Sequence, residues 1–241
     1  MKLIHTRLAR SIWLFDIRDL NPKGKDLLGD LVEWIKDSYQ FAVAPDPKNP
    51  VPSGPSNPVP PAPVQSPAPP QAPGGLLFQR GHFQARKEVS VEISNLTIYN
   101  DGIVVDAASS TEDGDRLAED LLTSAAREFA LSYDAETVRR KLYLSELIAR
   151  SDLSLEAINP SLNVFADQLS KACTDGLRPQ YRLGGISFWS EPNDSGIHKL
   201  FILERQAGKS LAEHRYFSQA QLQTAAHYSL LEALERAIAG A

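Results

Sequence analysis

Cysteine is almost absent from the 241-residue chain: Cys173 is the only one, so no internal disulfide can form, which fits a cytoplasmic home. Long apolar runs are missing too, the longest spanning a few residues against the ~20 a helix needs to cross a bilayer. The opening MKLIHTRLARSIWLFDIRD carries early positive charge, but Asp16 and Arg18 break its apolar segment before it reaches the length of a secretory signal. Nor is there a basic excess. The 25 Lys and Arg stand against 30 Asp and Glu, so the chain has no general attraction to phosphate backbones, and nucleic acid is not implied as a partner.

Linear catalytic motifs are equally scarce. There is no GxSxG, and His5, His82, His198, His214 and His227 include neither a pair at i, i+4 nor an HExxH. "RQAGKS", Arg205 to Ser210, ends like a phosphate-cradling loop. The required first glycine, however, falls on Leu203. An EF-hand aligned on Gly114 would put Ser109 and Asp120 where aspartate and glutamate must ligate. No cofactor is implied.

Proline is what the chain has in one place. Between Pro45 and Gly75 lie 13 of its 17 prolines in 31 residues, a composition incompatible with helix or sheet because proline removes backbone donors and fixes φ. PxxP spacings such as Pro52 to Pro55 and Pro67 to Pro70 suit an aromatic groove, but Lys48 is the tract's only basic residue. The simpler expectation is a flexible insertion or spacer. The preceding segment, 1–44, reads as strand (11–17), helix (25–38) and a short β-like FAVAP, too little to build its own core. It is therefore expected to pack onto a main domain spanning 76–241.

Within that domain, strands are predicted over 76–84, 89–99 and 103–107, the last two joined by the hairpin signal Asn100-Asp101-Gly102. A helix follows from Ser110 or Thr111, with Leu117, Leu121, Leu122, Ala125, Ala126 and Phe129 inward. Residues 138–148 are ambiguous. Asn159-Pro160 opens a helix with Leu162, Phe165, Ala166, Leu169 and Ala172 as its inner stripe. Strands at 181–189 and 199–204 flank EPNDSG, and a last helix runs from Ser218 to Ala239, with Ser218 and Gln221 at capping-box spacing; its apolar stripe of Leu222, Ala226, Leu230, Leu231, Leu234 and Ile238 is expected on the protein's own core, with a second subunit as the alternative. The fold class is α+β: an antiparallel or mixed sheet covered by about four helices, with a long Pro-rich insertion loop.

Residues 111–134 hold seven acids against two arginines and so carry the whole net charge of −5. Acids in a first helical turn are stabilised by the macrodipole and need no ligand. They also offer a surface to a protein partner, or oxygen ligands to a divalent cation. Arg139-Arg140-Lys141 reads as part of a mixed-charge face, and Trp13, Trp34 and Trp189 as core. Two functions follow. The first is a non-catalytic cytoplasmic protein-interaction or scaffold/adaptor protein, binding through the proline tract or the acidic helix start. The second is a metal-dependent enzyme with a cation held by Asp101, Asp106, Glu112, Asp113 and Asp115.

Overall fold

The computed structural model describes residues 1–46, 74–86, 89–134, 136–173, 179–191 and 200–240. The proline tract, apart from its ends, lies outside them, as do His198 and most of EPNDSG. The fold is α+β, with eight strands among the described residues: β1 (Lys2–Leu14), β2 (Leu76–Arg86), β3 (Val89–Tyr99), β4 (Gly102–Ala107), β5 (Arg140–Arg150), β6 (Gly185–Trp189), β7 (Leu200–Arg205) and β8 (Arg215–Ala220). Five α-helices accompany them among the described residues: α1 (Ile17–Leu20), α2 (Leu28–Ser38), α3 (Thr111–Phe129), α4 (Pro160–Ala172) and α5 (Thr224–Ala239). Strand order is β2-β3-β4-β1-β5-β8-β7-β6. The sheet is thus larger, and the helices more numerous, than the sequence predicts. Two compact units divide the chain, one of residues 10–143 and one of 1–9 with 144–241.

In the unit of 10–143, β2, β3 and β4 form an antiparallel meander. The turn between Tyr99 and Gly102 is the predicted hairpin. Gly102 has φ +154°, and a Cβ there would fall 2.2 Å from the Trp13 carbonyl oxygen, so only glycine fits. α3 buries Thr111, Gly114, Leu117, Ala118, Leu121, Leu122 and Ala125, the three-and-four spacing of one helical face. Its ends are capped: Ser110 Oγ accepts from the Asp113 amide, and Lys25 Nζ donates to the Phe129 and Ala130 carbonyls. α2 lays Val32 and Ile35 into the same core, beside Trp13, Phe15, Phe78, Ile93, Leu96 and Ile103. Tyr39 joins them, its hydroxyl donating to Asp120 at 2.7 Å; burial and that carboxylate push the phenol well above its ordinary range.

In the other unit, β5, β8, β7 and β6 pair antiparallel in that order. Leu147, Ala149, Leu155, Leu203, Tyr216 and Leu231 make its core, with Met1. The amino group of Met1 is paired with Glu235 of α5. Three expectations are corrected here. Residues 218–220, expected to start the last helix, belong to strand β8; Ser218 does not cap α5 but lies buried in β8, and α5 begins at Thr224. α4 has the predicted Asn159 cap and Pro160, yet only Ala166 is buried, while Leu162, Phe165 and Leu169 are exposed. Leu230 is 49% exposed where its neighbour Leu231 is 0%.

α5 therefore faces its core through Thr224, His227, Leu231 and Ile238. Leu231→Ala should cost ~2–5 kcal/mol as a buried large-to-small change, and Leu230→Ala no more than about 0.5 kcal/mol. Urea unfolding of both variants checks this, and equal losses would contradict the helix orientation.

Candidate functional site

Four of the five carboxylates singled out in the sequence have separate side-chain partners. Asp106, buried, takes a bidentate contact from Arg10 at 2.6 and 2.9 Å, with Asn95 at 3.3 Å. Asp113 is bound by the hydroxyls of Ser109 and Ser110 and by Arg116. Asp115 accepts from Trp13 Nε1 at 2.8 Å and Tyr143 at 2.9 Å. Glu112 meets the Thr111 hydroxyl. Asp101 stands on the rim of a broad open cleft with Arg18, Arg139 and Arg140. Among the described residues, no three His, Cys, Asp or Glu side chains group as a metal ion needs.

The remaining sequence candidates also find ordinary partners. Arg139 pairs with Asp19 at 2.7 Å, and Lys141 Nζ lies 3.5 Å from the centre of the Trp13 ring, a cation–π contact. "RQAGKS" is a turn between β7 and β8, with Gly208 at φ +73° and a short 3₁₀ turn, Leu211–Glu213, where a phosphate loop needs a helix N-terminus. Cys173 is half-buried, its Sγ 3.5 Å from the Tyr181 hydroxyl.

The sequence reading missed the surface of the unit formed by 1–9 and 144–241. β6 ends the strand order, and among the described residues its one pairing partner is β7. Phe188 and Trp189 on it are 60% and 58% exposed, which corrects the assignment of Trp189 to the core. They border a shallow cleft of about 320 Å³, completed by Leu200, Phe201, Ala220 and Leu222. Phe188 packs on Phe201 with ring centres 6.0 Å apart. α4 adds a second apolar surface in the same unit, with Val164 and Phe165 about as exposed as Phe188. Large exposed aromatics grouped this way mark interaction sites, whereas isolated exposed apolar residues do not. Their signal in the sequence is position: they end a five-residue strand and are separated from EPNDSG by Ser190 alone.

Behind the cleft, Phe201 touches the ring of His227 edge-on at 5.9 Å. His227 is buried, with Nδ1 2.7 Å from Ser145 Oγ and Nε2 2.8 Å from Ser218 Oγ. The serines also reach backbone carbonyls, Ser145 that of Leu222 and Ser218 that of Ile202. A serine beside a histidine is a nucleophile's arrangement. Here all three residues are shut from solvent, and the cluster serves to tie α5 to β5 and β8. Comparisons with protein-family models, curated proteins and solved structures give no match.

Burial without a nearby carboxylate lowers the His227 imidazole from 6.5 to about 4. The unfolded chain takes up this proton near pH 6.5 and the folded one does not. The contribution of His227 to stability is therefore complete above pH 6.5 and is lost as pH falls towards 4, by up to about 3 kcal/mol. Ring-proton NMR should show His227 keeping its neutral shifts through pH 5.5; a midpoint near 6.5 would contradict the buried placement.

Proposed function

We propose that the chain is a non-catalytic cytoplasmic protein-interaction module, and that its partner supplies an extended apolar segment that lies along β6. The exposed pair Phe188 and Trp189 on the terminal strand carries this reading. Main-chain groups on a strand edge give affinity to an added strand, and alternate side chains entering a neighbouring cleft give selectivity. The cleft bounded by Phe201 and Leu222 takes that second role. The acidic start of α3 supports a partner less, because Asp113 is already engaged by its own cap and by Arg116.

The test is selection of 12-residue peptides from a random library against the full chain, followed by amide hydrogen exchange. Bound peptides should protect the amides of residues 185–189, and Phe188→Asp should weaken them at least tenfold, about 1.4 kcal/mol. Binders that leave those amides exchanging freely would remove β6 as the site. A concentration-dependent doubling of mass that Phe188→Asp abolishes would make a second copy of the chain the partner.

The proline tract fits an insertion within the unit of 10–143. Ala42 and Val43 before it are hydrogen-bonded to Gln79 and Arg80 after it, so the chain departs and returns at neighbouring backbone positions. Replacing Val51 to Pro73 with a short Gly/Ser linker should leave the melting temperature within a few degrees of the parent, since closure entropy varies slowly with loop length. Collapse of the fold on replacement would show that the tract contributes structure.

A further inference from the structure

The unit of 10–143 contains an apolar cavity of about 250 Å³ between α2, α3 and the β3–β4 hairpin. Its walls include Ile35, Ile98, Ile103, Leu121, Leu122 and Ala125, and its polar residues are Asn21, Lys25 and Asp26. Protein interiors are packed as densely as organic crystals, with few voids larger than a water molecule. An apolar cavity of roughly 150 Å³ in another protein is enough to bind benzene, whereas a water needs two to four polar partners, which the walls away from Asn21, Lys25 and Asp26 do not offer. By the same ratio of volume to atoms, this cavity takes about ten carbon atoms.

We propose that the cavity binds a straight-chain monocarboxylate of about this length, its chain among the leucines and isoleucines and its carboxylate at Lys25. The position of the ammonium is fixed: Nζ donates to the carbonyls of Phe129 at 2.8 Å and Ala130 at 3.1 Å. An ammonium has three protons, so one remains for an anion. Lys25 is half-buried, whereas Asp26, the other charge among the lining residues, is exposed to solvent. The carboxylate is therefore drawn to the ammonium, the one cation among the lining residues, while the like charge of Asp26 is screened by solvent. Entry lies over the first turn of α2, where Leu27 makes no side-chain cap bond and Leu28 is 40% exposed.

The experiment titrates the full chain with decanoate, decanol and acetate by calorimetry, and follows methyl contacts by NMR. Decanoate should bind saturably, with its chain close to the methyl groups of Ile103 and Leu121, and acetate should not bind. Lys25→Met, which keeps the apolar stem, should weaken decanoate at least tenfold and leave decanol within twofold. Ala125→Phe, which fills the cavity, should abolish both. Absence of decanoate binding, or binding without contacts to Ile103 and Leu121, overturns the site. Equal weakening of decanol and decanoate by Lys25→Met overturns the carboxylate assignment. Should Ala125→Phe not fold, the methyl contacts in the parent decide.

Discussion

Val43 and Gln79 exchange backbone hydrogen bonds, Val43 N to Gln79 O at 3.2 Å and Gln79 N to Val43 O at 2.9 Å, and much of the unit of 10–143 depends on that exchange. It is flanked by Ala42 N to Arg80 O and His82 N to Tyr39 O, so the stretch after α2 runs along the outer side of β2. Phe41 is thereby pressed onto Gly81, where a Cβ would sit 2.4 Å from the ring, and onto Phe78, with ring centres 5.4 Å apart. The same stretch sets Tyr39 against Phe83 and places its hydroxyl on Asp120 of α3. One short β-bridge thus fixes α2 on the core and brings together the two chain ends that border residues 47–73.

The bridge also answers a general difficulty of open sheets. A terminal strand presents a row of unpaired N–H and C=O groups, and proteins blunt such edges with covering segments, bulges or charges. β2 has its covering segment, and Arg80 at φ +55° adds a local irregularity. β6 has none of these among the described residues. It is uncharged, Gly-Ile-Ser-Phe-Trp, and its aromatics are turned to solvent. Terminal strands without such devices are in general the ones that pair with another chain.

Local chemistry was the legible part of the sequence. The hairpin at Asn100-Asp101-Gly102, the Asn159-Pro160 helix start and the inward face of α3 each rest on residues whose backbone preference or spacing admits one reading. What failed depended on neighbours distant in the chain. The stripe of α4 is periodic as expected, but periodicity states that a helix has an apolar face and not that anything covers it, and Phe165 stays exposed. Trp189 reads as core from its apolar strand pattern, whereas strand order decides which strand is terminal. In β8 the buried positions are Tyr216, Ser218 and Ala220, so alternation was hidden by a small polar residue at its centre. The Ser218 to Gln221 spacing then imitated a helix cap.

Ser218 is buried because hydrogen bonds replace what hydrophobicity does elsewhere, and proton counting shows how. A neutral imidazole has one N–H and each serine one O–H, giving three protons for four contacts: two between His227 and the serines, and two from the serines to the Leu222 and Ile202 carbonyls. One contact always lacks its proton. Protonating the ring would supply the fourth, but desolvation opposes the charge and holds His227 neutral. Without the ring, each serine would still have its carbonyl. The imidazole therefore adds less to stability than its two short contacts suggest. Its particular contribution is register: Ser145 on β5 and Ser218 on β8, two residues apart in the strand register, both present hydroxyls to the imidazole, and α5 meets both only when His227 stands between them. That alignment sets Leu231 into the core and leaves Leu230 in solvent. The two contacts of one buried side chain thus help fix which face of a helix with apolar residues on several sides is the inner one.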